Sequence, residues 1–420
     1  MTPRSDAATS RERSTHRTLA AAVLTIVVGT MPVWLVGGLA FQITVELGFS
    51  AEGLGLAVAV FFGASALCSV PAGQLVQRWG PRFGMVSTGV LGACSLAGLA
   101  VADGLTSLLL CVGVAGVANS TCQPSANQSL TTGAALRRQG LAFGIKQAAI
   151  PVSTLVAGLA VPLIALTVGW RWAFLVALAG PLLLVLVAVR GRTGVRADGQ
   201  EGGHAGDQLD GDVQAARPGR SSIVRPVPMI VLAAAGVLGA AAANSFGAFV
   251  VDSTISSGVT AGVAGVALAV GSLAGIGARI FWGWSADRRT GGHLRMVAVL
   301  MAGGAVLVGG LAVADDPVLL VVLVVAICCT GWSWPGLFSF AIVVRNPGAA
   351  ASASGFLMTG IYAGGVVGPL AFGVTVDRAG YGPAWIAAGL TLLCAATLVL
   401  VGRHVLRQDV RRPASSLAHT

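Results

Sequence analysis

The sequence predicts an all-α membrane protein, with twelve transmembrane helices in two pseudo-symmetric six-helix bundles. Three observations carry this expectation. Of 420 residues, 55% are hydrophobic and only 10% are charged, whereas a water-soluble domain carries roughly 25% charged residues. So little charge cannot cover a water-facing surface, so most of the surface faces lipid. The apolar residues fall in continuous runs of about 20 or more, the length that crosses the hydrocarbon core, and lack the period-two alternation of a barrel. One long polar stretch splits the runs into two sets of six.

The chain opens with a basic tail, residues 1–17, that holds Arg4, Arg11, Arg13 and Arg17. The first apolar run is too long for a signal-peptide core and no small-residue cleavage site follows it, so it reads as a retained helix. The expected spans are approximately 18–44, 53–76, 83–102, 105–130, 140–167 and 170–189 in a first bundle (18–190). The second bundle (227–402) holds 227–251, 260–284, 293–314, 317–343, 351–376 and 382–402. Between them, residues 191–226 are rich in Gly, Asp and Arg and have too few apolar side chains to fold, which predicts a flexible linker. A polar tail, 403–420, ends the chain. Glycine is abundant, at 59 residues. Gly360, Gly364 and Gly368 repeat a small-xxx-small spacing that lets helices approach closely in lipid.

The seven cysteines (Cys68, Cys94, Cys111, Cys122, Cys328, Cys329 and Cys394) all fall in apolar runs with no metal-type spacing, which reads as packing rather than a disulfide framework or a metal site. None of the five histidines lies mid-span. The net charge of +10 does not predict nucleic-acid binding, because the arginines form no basic stripe with interleaved aromatics. Their distribution is a topology signal instead. Of 26 Lys and Arg, 22 fall in the tails and in the loops after even-numbered spans; the opposite loops hold Arg171 and Arg378 beside Glu46, Glu52, Asp103, Asp252, Asp315, Asp316 and Asp377. Positive residues mark the cytoplasm, so both termini and the linker are expected there, in a bacterial inner membrane.

The two halves repeat each other. A shift of 210 residues carries Gly73 to Gly283 and Gly55 to Gly265, a shift of 211 carries Pro124 to Pro335, and a shift of 213 carries Gly169 to Gly382. Parallel halves of this kind mark transporters.

After span 2 the chain reads Gly73-Gln-Leu-Val-Gln77-Arg78-Trp-Gly80-Pro-Arg82, and after span 8 it reads Gly283-Trp-Ser-Ala-Asp287-Arg288-Arg289. This pair resembles the signature loops of the major facilitator superfamily, and Arg138-Gln-Gly140-Leu-Ala-Phe-Gly144 is similar to that family's start of span 5. The resemblance runs from about residue 18 to residue 402. It implies two six-helix bundles around a cavity open alternately to each side, lined by spans 1, 4, 7 and 10 with parts of 2, 5, 8 and 11. It also implies gating roles for Gly73, Arg78, Gly80, Arg82, Gly283, Asp287 and Arg288. Glycine lets two helix ends approach, and a carboxylate at a helix N-terminus, paired with arginine, latches the gate. Gln77 stands where the first loop of the family carries its acid, which argues against a symmetric latch.

In the spans that the family directs to its cavity, Asn119, Gln123 and Asn127 of span 4 share one helical face. They either line the cavity or bond neighbouring helices. Span 10 adds Trp332 and Trp334 beside Pro335, span 1 adds Trp34, span 7 its repeat partner Asn244, and span 11 Tyr362; single tryptophans are more often packing residues. Two cations lie within spans. Lys146, the sole lysine, is about two turns into span 5 beside Gln147, and Arg279 lies two turns before Asp287 in span 8. Each is close enough to the surface to snorkel. A structural pairing with the Asp287 loop is the reading for Arg279. An anion-binding role is the reading for Lys146, since intramembrane charge is costly and marks solute pathways.

No Asp or Glu lies mid-span, and span 5 reads Ala148-Ala-Ile-Pro151-Val-Ser-Thr where exporters of cationic drugs in the superfamily carry Gly-x-x-x-Gly-Pro. Both observations argue against cation export. The same phrase loosely resembles the cyanate and nitroimidazole permease branch. The resemblance therefore implies a secondary transporter of a small anionic or neutral organic solute, coupled to an ion or solute gradient with a proton among the candidates. A drug or metabolite exporter of the same superfamily is the rival, and a non-transporting receptor on the same fold is a second. An enzyme is not expected, because no nucleophile, acid–base pair or metal cluster shares one depth. No cofactor, metal or nucleic-acid partner is expected, and the chain reads as a monomer in the bilayer.

Overall fold

The computed structural model describes residues 3–133, 139–190, 226–314, 316–346 and 350–411. Among them there is no strand, and eleven helices are long and apolar enough to cross a membrane. One of these, Ala51–Ala100, is 50 residues long and breaks at Gly80, whose φ of 82° is one that only glycine adopts freely. It supplies spans 2 and 3, so the architecture has the twelve expected crossings. The expected linker lies outside the described residues.

Span 1 is Pro3–Gly38, extended by Ala40–Leu47, and so begins inside the expected tail. Span 4 is Leu105–Gly133, and span 5 is Gln139–Ala160 with a π-helical turn, Val161–Ala165, around Pro162. Span 6 is Trp170–Ala177 and Ala179–Arg190. Spans 7, 8 and 9 are Pro226–Ser256, Ala261–Asp287 and His293–Gly310. Spans 11 and 12 are Ala350–Ala379 and Tyr381–Arg411.

Span 10 departs from the expected unbroken helix over 317–343. It consists of Pro317–Cys329 and Trp334–Arg345, joined by a turn at 330–333. Breaking a helix in lipid frees backbone groups that must find partners. Side chains supply them: Ser333 Oγ donates to Cys328 O at 2.6 Å, Trp282 Nε1 to Cys329 O at 3.4 Å, and Arg279 Nη2 to Trp332 O at 2.5 Å. Gly331 faces Gly304 of span 9, where a Cβ on Gly304 would fall 2.2 Å from the Gly331 Cα.

Glycine sets how the halves meet. Span 5 packs on span 8 along its length: a Cβ on Gly140 would stand 2.6 Å from Gly283 O, one on Gly144 2.6 Å from Arg279 O, and one on Gly158 2.6 Å from Gly265 O. Backbones this close gain dispersion contacts that larger side chains would block. Thr154 and Ser272 add a buried hydroxyl–hydroxyl bond of 2.8 Å across the same seam. Span 2 packs on span 11, with Gly55 against Pro369 O and Gly373 against Ala51 O. Span 1 meets span 7 where Gly37 faces Gly247. The stripe Gly360, Gly364 and Gly368 faces Ala233, Val237 and Ala241 of span 7, within one half.

These seams are unequal at the two faces. On the face opposite the termini, the 1–7, 2–11 and 5–8 contacts all close. Toward the termini the 5–8 seam stays closed, whereas Gly73 near the end of span 2 has open space around it and spans 4 and 10 form no seam among the described residues. Span 1 is the most enclosed span, with 72% of its apolar window buried against 33% for span 6, which places span 1 at the centre and span 6 at the lipid. At the face away from the termini, Glu46 accepts from Arg171 and from Trp170 Nε1, tying the end of span 1 to the start of span 6. The Arg171 hydrogen bond, then that from Trp170, holds the exposed Glu46 carboxyl below its ordinary range.

Candidate functional site: a central cavity and two helix caps

A cavity lies between the halves at mid-depth and is lined from spans 1, 2, 4, 5, 7, 8, 10 and 11. Span 1 contributes Thr30 and Trp34, span 4 Asn119 and Gln123, span 5 Gln147, span 7 Asn244, span 8 Arg279, span 10 Trp332 and Trp334, and span 11 Tyr362. Phe61 and Phe62 of span 2, with Ile150, Ala240, Ala243, Pro335, Met358 and Ile361, complete the apolar wall. No acidic residue is among the lining residues.

Arg279 is the one formal charge in that lining, and it is 3% exposed. Nη1 donates to Gln147 O of the first half and Nη2 to Trp332 O of the second, both at 2.5 Å. The guanidinium lies 5.3 Å from the Trp332 ring centroid, within cation–π range. It therefore does not pair with the Asp287 loop. Instead it fixes the break in span 10 and bridges the halves. Trp332 in turn meets Trp34 edge-on at 5.6 Å and Phe246 at 6.0 Å. This aromatic cluster joins spans 1, 7 and 10.

Four buried polar atoms of the lining residues have no hydrogen-bond partner: Trp34 Nε1, Trp334 Nε1, Arg279 Nε and Gln147 Oε1. Buried polar groups are bonded in the great majority of cases, because an unmade bond forfeits the desolvation cost. Four such atoms around one cavity, three donors and one acceptor, is the pattern of a polar ligand site.

The span-4 amides divide. Asn119 lines the cavity and donates through Nδ2 to Ser65 Oγ at 3.0 Å, which braces it on span 2. Gln123 lines the cavity, but Asn127 lies beyond it and accepts from Lys146 Nζ at 2.6 Å. Lys146, 7% exposed, is outside the lining, directed at span 4 while its neighbour Gln147 faces the cavity. Asn244 lines the cavity and spends its Nδ2 on Ala240 O within span 7. Thr30, Phe61, Phe62 and Met358 were not singled out from sequence. Thr30 had a usable signal, one turn before Trp34 on the same face.

The signature loops behave differently from each other. Asp287 at the end of span 8 accepts from the backbone N–H of Gly140 (2.7 Å) and Leu141 (2.8 Å), so it caps the N-terminus of span 5 across the halves. Arg288 lies over Trp284, 3.7 Å from its centroid, and Arg82 donates to Val189 O. Gly73 and Gly80 have open space around them. A second cap was not foreseen. At the opposite face Asp377, ending span 11, accepts from Ala51 N (3.1 Å) and Glu52 N (2.8 Å) at the start of span 2.

Comparison with known proteins bears on the same regions. A protein of Agrobacterium vitis named "Putative tartrate transporter" is 25% identical over 395 residues, 88% of this chain and 86% of its own length. The fold matches a crystal structure of a bacterial homolog of the human lysosomal transporter Spinster, inward-facing and occupied, at TM-score 0.69 and 15% identity over 93% of this chain and 97% of that one. It also matches a variant of the nucleoside transporter NupG, at TM-score 0.71 and 14% identity over 93% and 99%. The model of the Major Facilitator Superfamily matches residues 19–369 and 254–418. With that match covering both bundles and the loops between them, the chain belongs to the Major Facilitator Superfamily, a family of membrane transporters rather than enzymes.

Proposed function

We propose that this protein is a secondary active transporter of a small organic anion, held in the central cavity by Arg279 and moved by alternating access. The observation that carries the reading is a buried guanidinium in a cavity without a carboxylate, beside three further unpartnered polar atoms. An uncompensated buried cation is costly, and a bound anion offsets that cost. Lys146 adds a second positive charge one residue from Gln147. It favours anions by potential rather than by contact. Gln147, Asn119, Gln123 and Asn244 orient the solute, Trp34, Trp332, Trp334 and Tyr362 enclose it, and Asp287 with Gly283 closes the gate on the side of the termini. The uneven charge of the loops supports a cytoplasmic setting for that side, in a bacterial inner membrane. The tartrate relative fits an anionic solute without naming the one carried here.

The test is a thermal-shift panel on the detergent-purified protein, with carboxylates, neutral nucleosides and cationic drugs as probes. A ligand at 100 times its Kd adds about 2.7 kcal/mol. Carboxylates are expected to raise Tm. Stabilisation by cations or neutral solutes alone overturns the reading.

A further inference from the structure

We infer that the cavity is built for a monocarboxylate with a flat, aromatic body and one hydroxyl or N–H donor, and not for a small dicarboxylate such as tartrate. This rests on the anion reading above and narrows it.

Three observations carry it. First, charge: the lining holds one cation, and two of its five N–H groups are already spent on Gln147 O and Trp332 O. What remains suits one carboxylate. A second carboxylate would be desolvated against Phe61, Phe62 and Tyr362 with no cation to meet it, a costly burial. Second, shape: Trp34, Phe61, Phe62, Trp332, Trp334 and Tyr362 dominate the wall. Rings of this kind favour a planar apolar ligand through offset or edge contacts. A tetrahedral, fully hydroxylated dianion would leave them without apolar partners. Third, the bonding pattern: the unpartnered indole N–H groups of Trp34 and Trp334 and the Arg279 Nε are donors, matched by carboxylate oxygens. Gln147 Oε1 is the one fully buried acceptor of the lining residues without a partner, and it needs one donor from the ligand. An aromatic acid carrying a hydroxyl meets all three requirements.

The experiment is quenching of tryptophan fluorescence, cross-checked by thermal shift, on the full-length protein in detergent. The probes are benzoate, 4-hydroxybenzoate, L-tartrate and benzyl alcohol. We expect 4-hydroxybenzoate to bind about 3- to 10-fold more tightly than benzoate and tartrate at least about tenfold more weakly than either. Benzyl alcohol should fail to compete. Gln147→Leu should erase the preference for the hydroxyl, so that 4-hydroxybenzoate and benzoate bind alike, whereas Trp34→Phe, which keeps the ring and removes the N–H, should weaken both aromatic acids. Tartrate binding as tightly as benzoate, or a hydroxyl preference that survives Gln147→Leu, overturns this inference and leaves the anion reading standing. Benzyl alcohol binding while no anion does overturns both.

Discussion

Arg279 and Lys146 show what one residue's surroundings decide. Sequence distance put Arg279 two turns from Asp287 and suggested a pair. The guanidinium instead turns inward to two backbone carbonyls, one of them freed by a helix break that hydropathy cannot detect. Lys146 was legible as a costly intramembrane cation, but not its partner, because Asn127 is 19 residues away on another span. The two cations should therefore differ on mutation. Arg279→Gln is expected to lower benzoate affinity by more than tenfold, and Arg279→Lys to recover charge without the two-carbonyl bridge. Lys146→Gln should cost only a few-fold in affinity, since Nζ lies outside the lining, along with about 1 kcal/mol of stability from the lost bond. Titrations on the monodisperse fraction of each variant check this. Equal losses at the two positions would show that Lys146 touches the solute.

At the scale of helices, the two caps form a matched set. Asp287 ends span 8 and caps span 5 at the face of the termini, while Asp377 ends span 11 and caps span 2 at the other face. Span 5 and span 2 hold equivalent places in the inverted repeats nested within a half, as do span 11 and span 8. The latch missing from the first signature loop, where Gln77 replaces an acid, thus has a counterpart on the opposite face. A cap of this kind contributes about 1 kcal/mol, about a fivefold change in an equilibrium. Asp287→Asn should loosen the face of the termini, and Asp377→Asn the other. Hydrogen exchange would report the first at Gly140–Gly144 and the second at Ala51–Gly55. If either variant loosens both ends equally, the caps do not act as separate gates. The signature glycines divide on similar grounds. A Cβ at Gly283 would stand 2.4 Å from Gly140 O, whereas Gly73 has nothing within 4 Å. Gly283→Ala should lower Tm by several degrees, at about 1–3 kcal/mol of overpacking, and Gly73→Ala should leave it unchanged.

For the whole molecule, the sequence carried most of the architecture because lipid imposes strong rules. Twelve apolar runs and repeated glycines and prolines sufficed for the spans and the two halves. The break in span 10 and the π-turn in span 5 were not legible, since each depends on partners from other spans. Charge asymmetry offers the orientation, and it is testable because of where the thiols lie. All seven native cysteines sit within spans, so a membrane-impermeant maleimide has little access to them. An added cysteine then reports its own side. Ala205→Cys falls in the long polar stretch between the two bundles, and Ser257→Cys in the exposed turn between spans 7 and 8. With positive residues retained in the cytoplasm, Ser257→Cys should label in intact cells and Ala205→Cys only after permeabilisation. The reverse pattern would place the termini outside. It would also turn the Asp287 cap into the outer gate and the Asp377 cap into the inner one, so the cap variants would swap their effects on uptake and release while the cavity chemistry stayed the same.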